Sequence, residues 1–250
     1  GPSIRDVKLT LSREHGFDNW QEFKYALKLA PQFREALDPG DPERVRAILD
    51  EVPQLANCVP WPKHRPDAQA IKIVSDACVW HRPLKHEIAQ ALIDAGATCD
   101  ITIAARAGLV DHVREQLGND PTLIDCCDRR GRTALYRAGC VYGSFKEGEA
   151  VVDLLLERFA QPDIFVAATF AMAERVGELL DKNDDLATCT DPDGMTALHW
   201  AVRPRRANGH DQPTRVTRLL LEAGADVHAI NPTEQEMLPL HHRNWFSTPR

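Results

Sequence analysis

Apolar positions along this chain fall into two interleaved series. RVRAILDEVPQLANC at 44–58, HVREQLGNDPTLIDC at 112–126 and RVGELLDKNDDLATC at 175–189 align without a gap. Val45, Val113 and Val176 share one column, and Leu49, Leu117 and Leu180 share another four residues on. An i, i+4 pair is one stripe of a helix, so each segment predicts an amphipathic helix with a core-facing valine and leucine. Leu55, Leu123 and Leu186 follow six residues later and are expected to tuck under the C-terminal turn. The aligned cysteines Cys58, Cys126 and Cys189 stand 68 and 63 residues apart.

The second series lies between these segments: IAQALIDAGATCD at 88–100, VVDLLLERFAQPD at 151–163 and VTRLLLEAGADVH at 216–228. Each has an apolar helix face, and two end in Gly-Ala, where glycine relieves the left-handed turn that closes a helix. The repeating unit is therefore a double one of about 65 residues, with two helix pairs in each. One helix pair cannot bury its apolar face alone, so the units must stack.

Two further segments carry a recognisable motif. DPDGMTALHWAV at 191–202, followed by RVTRLLLEAGADVHAIN at 215–231, closely resembles an ankyrin repeat, and DRRGRTALYRAG at 128–139 is a weaker copy. The resemblance implies that Asp191 and Gly194, and Asp128 and Gly131, shape hairpin fingers. It implies that Thr196 and Thr133 cap the first helices, and that Leu198, Ala201, Leu135 and Ala138 pack between repeats. The resemblance implies that His199 of the TALH motif bonds between neighbouring repeats in a structural role. The odd units, AARAGLVDHVREQL at 104–117 and AATFAMAERVGELL at 167–180, match only the helical part and lack the finger. What the resemblance implies is an all-α, ankyrin-type helical solenoid with short hairpin fingers and helical caps, of about six degenerate repeats in three double units over 33–231. Residues 4–32, with Leu11, Phe17, Trp20, Phe23 and Leu27 at helical spacings, form the expected N-terminal cap, similar to the leader before some bacterial ankyrin arrays. Residues 232–250 are read as a C-terminal cap and tail, and Gly1-Pro2-Ser3 as the scar of a cleaved tag.

The even units depart from a plain array through enlarged inter-helix turns at 79–87, 140–149 and 203–214, and a long segment at 58–70 replaces the first finger. Insertions at equivalent points of a solenoid project along one edge. These turns hold Trp80, His81, Arg82, His86, Tyr142, Phe145, Lys146, Arg203, Arg205, Arg206 and His210. Aromatic and arginine side chains are enriched at binding hot spots because they bury much area while still hydrogen-bonding. A second candidate surface is the finger Arg129-Arg130-Gly131-Arg132 with the helix-start residues Tyr136, Arg137 and Trp200.

Composition narrows the reading. The chain carries 30 Lys and Arg against 37 Asp and Glu, a formal charge of -7, so neither a general nucleic-acid coat nor an anionic-membrane binder is favoured. Seven cysteines without CxxC spacing argue against a disulfide framework or a structural zinc, and point to reduced thiols in the cytoplasm, mostly as small core fillers. Cys127 beside Arg129 and Arg130 invites a reactive-thiol reading, but no His is fixed next to it by spacing. No HExxH, P-loop or G-x-S-x-G occurs, and no cofactor or metal is expected. The function expected is non-catalytic recognition of a protein or peptide, with an acidic partner suited to the arginines and self-association open. The alternative is a small-molecule-binding protein or enzyme whose enlarged turns wall a pocket, with His81, His86 and His210 moving protons.

Overall fold

In a computed structural model the chain is described over residues 3–37, 40–58, 69–76, 85–140, 146–202 and 212–230. Thirteen α-helices dominate these residues, and among them no strand forms. The chain divides into two compact units, Gly1–Leu109 and Val110–Arg250.

The first unit holds α1 (Ile4–Glu14), α2 (Trp20–Leu37), α3 (Pro42–Glu51), a 3-10 turn (Pro53–Asn57), α4 (Ala70–Asp76), α5 (Lys85–Asp94) and α6 (Ile101–Ala107). α3 packs on α2 and α5, while α4 packs on α5 and α6. The second unit holds α7 (Val110–Asn119), a 3-10 turn (Pro121–Asp125), α8 (Ala134–Gly139), α9 (Lys146–Glu157), α10 (Ile164–Thr169), α11 (Ala173–Lys182), a 3-10 turn (Asp184–Ala187), α12 (Ala197–Ala201) and α13 (Gln212–Glu222). Here α10 sits between α8 and α12 in one row, α11 packs on α13 in the other, and each short helix pairs with the longer one after it. This two-row stacking is the helical solenoid that the repeats require.

The reasons are local. Val45, Val113 and Val176 are fully buried, and Leu49, Leu117 and Leu180 lie beside them in the core. The short helices are rich in alanine, and Ala134, Ala138, Ala167, Ala168, Ala197 and Ala201 are all buried, which lets neighbouring axes approach closely. Units without a finger begin their first helix on an aspartate cap. The Asp100 carboxylate accepts from Ile103 N (2.9 Å), and that of Asp163 from Val166 N (2.8 Å). Each such cap contributes about 1 kcal/mol.

Several expectations change. Leu55 is buried, but Leu123 and Leu186 are only partly covered. Residues 4–32 hold two helices, broken at Gly16 (φ +78°); of the expected apolar set Phe17 and Phe23 are buried and Trp20 is partly covered, while Leu11 and Leu27 stay exposed and Ala26 and Leu29 are buried instead. α2 runs unbroken through 32 and 33, across the boundary expected between cap and array. Ser3 closes a capping box with Asp6 at the start of α1. The cysteines are not mainly core fillers: among those described only Cys140 is buried, and Cys126 and Cys127 are exposed. Their column lies where the 3-10 turn hands the chain to the finger at the surface.

One position breaks its own column. The helices α5, α9 and α13 all end in the same turn, with Gly96 N, Phe159 N and Gly224 N donating to Ile93, Leu156 and Leu221 carbonyls. Gly96 and Gly224 take φ of +86° and +90°, and Phe159 takes +67° while 85% exposed. A side chain with a Cβ costs about 1–2 kcal/mol in that conformation, and Phe159 recovers little of it by burial. Phe159→Gly is therefore expected to stabilise the protein by about 0.5–1 kcal/mol after glycine's own entropy cost. Phe159→Ala, which keeps the Cβ, is expected to give no such gain in a denaturation experiment.

Candidate functional site

The two fingers are built by the same device. In the first, the Asp128 carboxylate Oδ1 accepts from Arg130 N (2.8 Å) and Arg132 N (3.1 Å), while Asp128 N donates to the Arg132 carbonyl (2.9 Å). In the second, Asp191 Oδ1 accepts from Asp193 N and Met195 N, both at 2.9 Å, and Asp191 N donates to the Met195 carbonyl. Gly131 and Gly194 supply the positive φ, +77° and +83°, that closes each turn. Isolated antiparallel bridges, Cys127 with Thr133 and Thr190 with Thr196, pin the finger bases. The threonines then cap the helices: Thr133 Oγ1 accepts from Tyr136 N and Thr196 Oγ1 from His199 N (3.4 Å), while Thr196 N donates back to His199 Nδ1 at 3.1 Å. His199 is fully buried there, in the structural role expected of it, and its Nδ1 bonds to Thr196 of its own repeat where a bond to the neighbouring repeat was expected.

The second carboxylate oxygens do different work. Asp128 Oδ2 accepts from Arg132 Nε at 2.8 Å, with Arg137 Nε 3.9 Å away. Burial alone would raise the Asp128 carboxyl, but the bonds from the Arg132 side chain and the two backbone amides outweigh it and hold it below the usual carboxylate range. Asp191 Oδ2 accepts from Tyr136 Oη (2.6 Å) and from Trp200 Nε1 (2.8 Å). Asp191 is 4% exposed, so this carboxylate is removed from water and met by four donors. Burial and the neighbouring thiol and carboxylates push the Tyr136 phenol far up, so it remains a donor at any pH the protein meets.

Asp193, at the tip of the second finger, joins the two. Its Oδ1 accepts from Arg130 Nη1 at 3.0 Å and its Oδ2 from Arg132 Nη1 at 3.2 Å. Arg130 and Asp193 occupy the same column of DRRGRT and DPDGMT, so opposite charges at equivalent positions were the available signal, missed in the sequence. The unit between them offers only Gln161-Pro162 ahead of Asp163 in place of a finger. Asp163 is half-buried, and its carboxyl is raised, first by burial, with Asp191 adding a smaller push, against the amides of Val166 and Phe165.

The structure therefore sorts the sequence candidates. Trp200 is 2% exposed and Arg137 5%, so both are corrected from surface contacts to internal groups, turned inward by Asp191 and Asp128. Tyr136 is buried for the same reason. Arg132 is largely covered, Arg130 is exposed although bonded to Asp193, and Arg129 is exposed at the tip. His86 lies in the first turn of α5, half-buried, with Nδ1 unmatched among the described residues. Trp80, His81, Tyr142, Arg203, Arg205, Arg206 and His210 lie outside the described residues. Among the described residues, no three His, Cys, Asp or Glu side chains come together as a metal site.

Two outcomes follow from these carboxylates. Tyr136→Phe removes one donor from a buried charge, and the expected loss is about 1.5–3 kcal/mol by denaturant titration. For Asp163, a raised folded-state carboxyl means that the folded chain holds this proton more tightly than the unfolded chain. Ionisation therefore works against folding as pH rises past the unfolded carboxylate range at about 4. Asp163→Asn keeps the capping oxygen without ionising, so this variant should be more stable than the parent at pH 7, with the difference closing towards pH 4. A variant less stable at pH 7 would contradict the assignment.

No curated protein matches this chain. The ankyrin repeat family model matches residues 193–232, from the tip of the second finger through α12 and α13. The chain thus carries an ankyrin repeat at 193–232 within a helical solenoid, and the finger that Asp191 anchors leads into it.

Proposed function

We propose that this protein is a non-catalytic recognition module for a protein or peptide, an array of about six degenerate ankyrin repeats in three double units. The observation that carries the reading is the bond between fingers. Arg130 and Arg132 grip Asp193, so the tips of two finger-bearing repeats are held in one arrangement before any partner arrives. Preorganised contact groups lose less entropy on binding than free ones, which favours a docking role for that surface. Arg129, Arg130 and Pro192 are exposed on it. In a chain of formal charge -7, exposed arginines at the tips suit an acidic partner segment, setting orientation and on-rate. The enlarged turns around Trp80, Tyr142 and Arg203-Pro204-Arg205-Arg206 are proposed as a second set of contacts.

The test places a photo-crosslinking amino acid at Arg129 or, as control, at exposed Glu178 on α11, in extract of the native host. Discrete adducts from position 129 that position 178 does not give are the expected result, with at least a tenfold weaker affinity of the isolated partner for Arg129→Glu. Equal labelling from both positions would overturn the finger surface as the docking face.

A further inference from the structure

A cleft of about 780 Å³ opens in the N-terminal unit. Phe23, Ala26, Leu27, Ala30, Pro31 and Arg34 of α2 line one wall. Their spacing is a single stripe, about 16 Å from end to end. The 3-10 turn at Pro53–Asn57 and Cys58 form the facing wall. The turn after α1 closes one end, where the His15 ring stacks on Phe23 with centroids 5.0 Å apart and planes within 8°.

Arg34 marks the other end. Its charge reaches the Cys58 thiol and favours ionisation, yet burial dominates and pushes that thiol up to about 12, so Cys58 stays neutral. Among the described residues no carboxylate pairs with Arg34; Glu35, next to it on α2, faces elsewhere and is engaged by Arg44 at 3.3 Å. Glu14 lines the cleft together with His15 and the turn after α1, so an acid stands at that end and the Arg34 cation at the other. A mostly apolar cleft of this volume with a few placed polar groups is the usual form of a small-molecule site. The positive charge of Arg34 suits the anionic head of a carboxylate.

We propose that this cleft binds a small apolar carboxylate, with its anionic head on Arg34 and its apolar body along the Ala26–Ala30 stripe. The stripe suits a medium-chain fatty acid. An alcohol or amine of the same length leaves the guanidinium unmatched or repelled. This site is independent of the finger surface, and neither reading requires the other.

The experiment is calorimetric titration of the full chain with dodecanoate below its micelle concentration, beside dodecyltrimethylammonium as the cationic probe of equal chain length. Saturable binding of one dodecanoate per chain is expected, at least tenfold tighter than the cation. Arg34→Gln and the cleft-filling Ala30→Trp should each weaken it tenfold or more, while Arg34→Lys keeps most of the affinity and Arg129→Gln all of it. Lysine retains the charge on the same helix, so retention by Lys and loss by Gln separates a head-group contact from a folding defect. Absent binding, binding at many sites, equal binding of the cation, or indifference to Arg34→Gln would each overturn the proposal.

Discussion

The buried carboxylate of Asp191 is the constraint on which the second unit depends. An ionised carboxylate withdrawn from water is very costly unless donors replace the water it leaves. Here the donors come from three places: the backbone of its own finger, Trp200 of the helix that the finger leads into, and Tyr136 from the preceding finger-bearing repeat. No single repeat supplies them all. The finger therefore reaches its resting geometry only with α8 and α12 both in place, and side chains that would otherwise face outward are drawn in.

The double period of the chain has its physical meaning in the same place. A finger on every unit would put a hairpin between Arg130 and Asp193. Because the intervening unit goes from Ala160 to the Asp163 cap in three residues, the fingers on either side of it meet directly. The arrangement has a cost as well as a gain. The cap that replaces the missing finger leaves the half-buried Asp163 near Asp191, where it resists ionisation. Asp128, by contrast, is held ionised by Arg132 and two amides. The two carboxylates, one on a finger and one on a cap, are shifted in opposite directions by whether an arginine stands beside them.

How much of this could be read from the sequence depends on the range of the interaction. The valine and leucine columns, the threonine caps and the finger turns are set by neighbours within a few residues, and all were legible. Trp200 and Arg137 were not. Arginine is mostly an exposed type, and tryptophan serves in packing and in contacts alike, so only the geometry of Asp191 and Asp128 shows that both turn inward. The opposition of Arg130 and Asp193 was visible as a column, but its use required knowing that alternate fingers touch. Phe159 stands in a glycine column and could have been flagged by alignment alone. The N-terminal cleft had no sequence signature, because its walls are brought together by α2 packing against the 3-10 turn after α3.

The inward use of arginine also shapes what the finger surface can do. A strip of three free arginines would attract any polyanion with little discrimination, by an attraction that salt screens readily. With Arg132 and Arg130 committed to Asp128 and Asp193, positive charge is left at Arg129 and on the exposed side of Arg130, next to Pro192. Recognition on such a surface rests on fit to a fixed shape, with charge selecting among partners that already fit. The same economy separates the two proposed sites. On the fingers arginine is balanced by the protein's own carboxylates, and a partner must compete with or complement them. In the cleft no described carboxylate pairs with Arg34, Glu14 lying with the turn after α1, so a ligand supplies the counter-charge itself.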